Sequence, residues 1–345
     1  MHILIGVLMK LDRSSSYKFK NGKTAQNRVV VPPMASQTAD SKGFVTKKTV
    51  DHYTNLAASG AGLIFVEYSY IDSSGKGEAN QLGADSDSKI LGLKKVASAI
   101  QNRGALAGLQ LVHVGSKTTT DLTHRPSMAP SSIAVPVKGW QPEVPHAMNF
   151  QQIELWIKWF VQAARRASQA GFDLVELHVA HGYGLNQWLS PITNQRQDEF
   201  GGSIANRAKL LFKIITEIKN KIPDLLLAVR IPAQDHFVDG LSSNEMVWVA
   251  KQLEILGVDL LDVSSGIGGW RRPEGHQGQG YLIPDAQLIK SNVLIPVIGV
   301  GGIETGLFID ELVCNHKVDF AAVGRAILNN PLHWGQTQLH MSASS

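Results

Sequence analysis

Cysteine is nearly absent: the 345-residue chain has one, Cys314. A lone thiol cannot close an internal disulfide, and it cannot supply a Cys-ligated zinc ribbon or an iron–sulfur cluster. Charge is sparse too. Charged residues make up 18% of the chain against 43% hydrophobic; with ordinary globular proteins at roughly 25% charged, a disordered chain is excluded. No basic block is present. Lysine and arginine number 33 against 29 acidic residues, a net charge of +4. They occur as scattered pairs such as Lys47-Lys48, Arg165-Arg166 and Arg271-Arg272, so no nucleic-acid face is expected. Long apolar runs are also missing. The stretch 3–9 is shorter than the about 20 residues of a bilayer span, and it lacks the flanks of a secretory signal. The expectation is a cytoplasmic protein without a membrane span.

What is present is an alternation. Short, near-continuously apolar runs at 28–32, 62–66, 105–111, 174–178, 225–230, 260–263, 296–299 and 320–323 read as strands buried on both faces. Helical patterns lie between them, at 48–58, 89–102, 153–170, 207–219, 243–256, 284–291 and 308–315. Gly60, Gly171 and Gly257 stand just past three of these, where a left-handed residue ends a helix. Eight strands alternating with seven helical stretches predict a (β/α)8 TIM barrel, with residues 1–345 forming a single domain. A proline-rich excursion at 117–150 follows the third strand over the mouth, and residues 1–27 form an N-terminal lid on the opposite end.

In such a barrel the chemistry sits at the C-terminal strand ends. Gly299–Gly302 after strand seven and Gly324-Arg325 after strand eight fall where this fold binds phosphate, although tight turning alone would also use glycine. His178 and His181 could ligate a metal with Glu67 as a third ligand, or could donate together to one oxyanion beside Tyr183. Arg230 ends a buried strand, where a permanent cation needs an anion: either Glu67 in an internal ion pair or a bound anionic cofactor. Gln110 offers a donor and an acceptor to a heterocycle.

These residues carry a resemblance. Asn27-Arg28-Val-Val-Val-Pro-Pro33-Met34-Ala35, Gly62-Leu-Ile-Phe-Val-Glu67, Gln110-Leu-Val-His113 and His178-x-x-His181-Gly-Tyr183 follow in order. So do Asn194-x-Arg196-x-Asp198-Glu-Phe-Gly-Gly202-Ser-x-x-Asn206-Arg207, Val229-Arg230, Val300-Gly301-Gly302-Ile303 and Val323-Gly324-Arg325. Over roughly residues 12 to 335 the chain resembles the old yellow enzyme family, specifically its thermophilic-like His-x-x-His branch. The resemblance implies FMN-dependent reduction of activated C=C bonds (α,β-unsaturated carbonyl or nitro compounds) by ping-pong hydride transfer from NADPH or NADH. It implies that Pro33, Met34, Ala35 and Tyr68 line the flavin ring, that Gln110 bonds its pyrimidine edge and that Arg230 faces its N1/C2 carbonyl. Gly301, Gly302, Gly324 and Arg325 would hold the phosphate, His178 and His181 the substrate oxygen, and Tyr183 would protonate the α-carbon.

Two positions depart from the pattern. Ala35 stands where this branch commonly has a redox-tuning Cys, and Tyr68 is bulkier than the residue often found there. They keep open an FMN-barrel dehydrogenase or oxidase of another substrate class, such as amines. The metal-dependent hydrolase alternative gives Arg230 and the phosphate loop no role. Other features are expected to be structural: His113 supports the Gln110 loop, Trp270-Arg271-Arg272 is a solvated loop, and Cys314 is inert within a helix. The family's homodimers and homotetramers leave assembly open, with 153–170 or 332–339 as the interface.

Overall fold

The computed structural model describes residues 11–269 and 277–340. Eight strands close into a barrel: β1 (Val29–Val31), β2 (Leu63–Tyr70), β3 (Leu106–Val112), β4 (Leu174–His178), β5 (Leu226–Pro232), β6 (Leu260–Ser264), β7 (Val297–Gly299) and β8 (Phe320–Ala322). Every neighbouring pair is parallel, and β8 pairs with β1. The eight-strand barrel expected from the alternation is therefore present.

Side-chain parity explains why both faces had to be apolar. Val29, Val31, Ile64 and Val66 point outward into a cluster shared with the surrounding helices. Val30, Leu63, Phe65, Leu174, Leu226, Leu260 and Phe320 fill the interior. That interior cluster also takes in Phe19 and Ala25, carried by a small hairpin pairing Tyr17–Lys18 with Thr24–Ala25. Phe19 stacks on Phe320 at 6.3 Å, which seals the barrel at the N-terminal ends of its strands.

Helices α1 (Lys47–Ala57), α2 (Ile90–Gln101), α3 (Phe150–Gln169), α4 (Lys209–Lys221), α5 (Ser243–Ile255), α6 (Ile283–Lys290), α7 (Gly306–Cys314) and the short α8 (Arg325–Asn329) follow their strands. Helix α3 starts three residues before the expected 153, because Asn149 and Gln152 exchange side-chain and backbone hydrogen bonds in a capping box. Gly60, Gly171 and Gly257 take left-handed φ angles of 73°, 85° and 84°.

Strand β2 departs most from expectation, running on to Tyr70 rather than ending at Val66. Val66 pairs with Leu109 and Ser69 with Leu111, so Glu67 and Tyr68 together oppose Gln110 in a bulge. The bulge sends the two side chains to different places. Glu67 accepts from the Ser36 amide at 3.1 Å and from the Tyr53 hydroxyl of α1 at 3.5 Å, whereas Tyr68 lines the barrel mouth.

The Asn-Arg-x-Asp run after β4 acts as a staple. Asn194 donates to the carbonyls of Trp188 and Phe200 at 2.8 and 2.9 Å. Arg196 donates to the carbonyls of Pro130 and Met148 at 2.9 and 2.6 Å, tying down both ends of a small bridge within the excursion. Among the described residues no helix is long and apolar enough to cross a membrane. The apolar stretch 3–9 and the Trp270-Arg271-Arg272 loop lie outside the described residues.

Candidate active site

A cavity of about 470 Å³ opens at the C-terminal ends of the strands. It is lined by Pro33, Met34, Ala35, Tyr68, Gln110, His178, His181, Tyr183, Arg230, Gly302, Gly324 and Arg325. Of the site residues expected from sequence, only Gly301 is not on its wall; it lies one residue behind. A wider groove of about 610 Å³ runs outside the barrel between α3 and α4 and holds none of them.

The histidines come from the end of β4 and the turn after it. His181 has a left-handed φ of 62°, held by its amide donating to the Ser265 carbonyl at 3.1 Å. The two imidazoles meet edge-on at 4.9 Å, and Tyr183 lies 4.8 Å from His178. Burial first, then the Arg230 charge for His178 and the His178 and Arg230 charges for His181, hold both well below the ordinary 6.5. Both are therefore neutral at neutral pH. The Ala180 amide donates to His178 Nδ1 at 3.3 Å, which leaves the proton on Nε2. His181 Nε2 lies 2.6 Å from Ser264 Oγ. When that hydroxyl donates, Nδ1 of His181 carries the proton.

Tyr183 stacks on Tyr68 at 5.4 Å, and the Lys117 ammonium sits 4.7 Å from its ring centre. Lys117 belongs to the excursion and donates to the His181 carbonyl at 2.8 Å. Burial and the Glu78 carboxylate push the Tyr183 phenol up to about 12, so it keeps its proton at neutral pH.

Arg230 corrects one expectation. Its partner is Asp262 on the neighbouring strand, at 3.1 Å, and not Glu67, which the bulge has turned toward Ser36 and Tyr53. The same turn dismantles the trio His178, His181 and Glu67 proposed for a metal. Among the described residues no group of three His, Cys, Asp or Glu is placed to hold a metal ion.

At the rim, Gly301 and Gly302 have φ of 127° and 66°, and a Cβ on Gly301 would lie 2.8 Å from the Leu282 amide nitrogen. Only glycine fits this turn. Arg325 opens α8 beside it. His113 is buried against Trp156 at 4.2 Å and accepts from the Gly115 amide at 3.1 Å. Burial holds it down to about 3, and it plays a supporting part. Cys314 ends α7 with its thiol on the Leu11 carbonyl at 2.6 Å.

Sequence reasoning missed Glu78, Lys117, Ser264, Ser265, Tyr281 and Leu282. The serines directly follow the apolar run of β6 and were discoverable by the strand-end rule. Two polar residues inside strands were also passed over: Glu176, two before His178, and Asp262, two before Ser264.

A closed parallel barrel whose polar strand ends gather round one cavity is the layout of a barrel enzyme. The chain belongs to the NADH:flavin oxidoreductase / NADH oxidase family, the old yellow enzyme family, whose family model matches residues 16–341. It is 38% identical over 314 residues to an NADPH dehydrogenase of a Geobacillus species (strain WCH70), covering 91% of this chain and 89% of the relative. Among solved structures it resembles histamine dehydrogenase from Rhizobium sp. 4-9, with a TM-score of 0.83, 27% identity, 93% of this chain and 46% of that one. It also resembles the old yellow enzyme homologue from Zymomonas mobilis, with a TM-score of 0.80 and 24% identity over 93% of this chain and 90% of that one. The protein is thus an FMN-dependent, NAD(P)H-linked flavin oxidoreductase.

The cavity suits that cofactor in its donor set. Buried Arg230 has an Nε without a hydrogen-bond partner, Gln110 offers an amide on the same floor, and the glycine turn with Arg325 offers backbone and charge to a phosphate.

Proposed function

We propose that the protein reduces activated C=C bonds, using NAD(P)H in ping-pong turnover. The observation that carries this reading is the neutral His178–His181 pair at one cavity wall with the protonated Tyr183 phenol 4.8 Å from His178.

In this reading Gln110 and Arg230 hold the pyrimidine side of the flavin, and Pro33, Met34, Ala35 and Tyr68 bound its ring. Gly301, Gly302, Gly324 and Arg325 take the phosphate. FMN held there would supply the two-electron hydride chemistry that links NAD(P)H to the alkene. His178 and His181 each donate one N–H to the substrate's carbonyl or nitro oxygen. Negative charge grows there as the β-carbon is reduced, so these bonds are stronger in the transition state than in the ground state. Neutral donors serve this better than imidazolium ions, which would be costly to bury. Tyr183 delivers its proton to the α-carbon.

The test is stopped-flow reoxidation of the NADPH-reduced enzyme by cyclohexenone. Rapid return of the oxidised flavin spectrum is expected, slowed at least 100-fold in the His178→Ala, His181→Ala double variant. No reoxidation by the enone would refute the reading. Glu78 favours a second one, oxidation of an amine, because its Oε2 is buried without a hydrogen-bond partner at the cavity that Tyr68 and Tyr183 line. Anaerobic bleaching of the oxidised enzyme by an amine would support that alternative.

A further inference from the structure

Between the apolar plug of the barrel and the cavity lies a layer of inward-facing polar side chains. Gln110 of β3, Glu176 of β4, Arg230 of β5 and Asp262 of β6 form it, and none is more than 5% exposed. Register builds it: Gln110 pairs with Glu176 and Arg230 with Asp262. The layer holds one guanidinium against two carboxyl groups.

The hydrogen bonds do not close if both carboxyls are ionised. Gln110 Nε2 donates to Glu176 Oε1 at 2.8 Å. Arg230 Nε is 3.1 Å from Asp262 Oδ2 but lacks the alignment of a hydrogen bond. Glu176 Oε2 and both Asp262 oxygens have no hydrogen-bond partner, although the two inward-facing carboxyl groups influence each other's protonation. Two facing acceptors buried without a donor form a costly arrangement, and one proton between them resolves it.

We propose that Glu176 is held as the neutral acid, its Oε2–H donating to Asp262, and that this pair positions Gln110 and Arg230 beneath the flavin. The proton resides on Glu176 because Asp262 is the carboxylate beside the guanidinium. Burial and then the Asp262 charge push Glu176 well above the usual carboxylate range, while Arg230 partly offsets the effect of burial on Asp262. The charged or titratable groups facing the pair are Arg230 below the cavity and His178 one step along β4, which is neutral. The layer is then electrically balanced, Asp262 against Arg230, and Glu176 serves as a hydrogen-bond bridge rather than a charge. As positioning residues, Glu176 and Asp262 act on the flavin through Gln110 and Arg230, so the inference rests on the flavin seat proposed above.

Isosteric variants of the FMN-loaded enzyme separate the two carboxyls. Glu176→Gln replaces a neutral acid with a neutral amide, so the flavin reduction potential and FMN dissociation constant stay within about twofold of wild type on the equilibrium scale. Asp262→Asn uncovers the Arg230 charge and raises the potential by stabilising the anionic reduced flavin. Infrared spectra of wild type at neutral pH show a protonated-carboxyl C=O band that shifts with ¹³C-glutamate and vanishes in Glu176→Gln. A potential raised by Glu176→Gln as much as by Asp262→Asn would overturn the proposal. So would the absence of the glutamate band, which needs no variant to fold. If the band is present but neither Asp262→Asn nor Arg230→Met moves the potential, the proton assignment holds and the flavin seat is refuted.

Discussion

Replacing Ser264 by Ala removes one oxygen from the cavity and leaves the backbone that carries the histidines in place. The Ser264 hydroxyl lies 2.6 Å from His181 Nε2 and, when it donates there, leaves the ring's proton on Nδ1. His181 keeps its left-handed backbone, because its amide still reaches the Ser265 carbonyl. The loss is therefore confined to one buried hydrogen bond, whose net value is about 0.5–1.5 kcal/mol. In binding this corresponds to a roughly 2- to 12-fold weaker complex with an anion that both histidines grip. The assay is a titration of the yellow holoenzyme with a phenol, followed by the long-wavelength band of a phenolate stacked on flavin. Ser264→Ala should raise the phenol dissociation constant by that factor without changing bound FMN, and Ser264→Thr, which keeps the hydroxyl, should restore most of it. An unchanged dissociation constant in Ser264→Ala, with a weakened one in His181→Ala, would refute the claim that Ser264 orients the ring.

Other consequences can be checked independently. Gly301→Ala puts a side chain on a φ of 127° with its Cβ 2.8 Å from the Leu282 nitrogen; strain of about 1–3 kcal/mol should lower FMN retained per protein, measured by absorbance after gel filtration. Arg196→Ala cuts two charge-assisted bonds to the excursion's carbonyls, so urea unfolding should show about 2–4 kcal/mol lost, with faster proteolysis within 117–150. Because the folded protein keeps His178 neutral well below 6.5, the unfolded chain binds the extra proton as pH falls. The stability of wild type relative to His178→Ala should therefore decline by about 1.4 kcal/mol per pH unit below 6.5, measured by urea titrations between pH 7 and 5.

The barrel was legible because its strands are buried on both faces, so their apolar runs stand out from helices with one polar side. The strand-end rule then found most of the cavity wall, from Pro33 to Arg325. It looked only at strand ends, however, and so passed over Glu176 and Asp262, which share the inward parity of His178 and Ser264 one pleat deeper. Glu67, one of two partners offered for Arg230, is ruled out for a related reason, and the internal pair is with Asp262. The bulge in β2 turns Glu67 outward, and a two-residue bulge opposite Gln110 leaves no mark in a run of apolar and aromatic residues. Glu78 and Lys117 arrive from connections whose paths depend on long-range ties such as Arg196 to Pro130 and Met148, which spacing along the chain does not encode. Residues of the run from Asn194 to Arg207 supply such ties, through Asn194, Arg196 and Arg207.

A flavin seated over Arg230 and Gln110, with its substrate face governed by the two histidines, would show itself in the visible spectrum of the purified protein during titration with a phenol. A yellow protein that gains one saturable long-wavelength band is expected, with the band abolished in the His178→Ala, His181→Ala double variant while FMN stays bound. A flavin spectrum indifferent to the phenol, or a band that survives loss of both histidines, would contradict that arrangement.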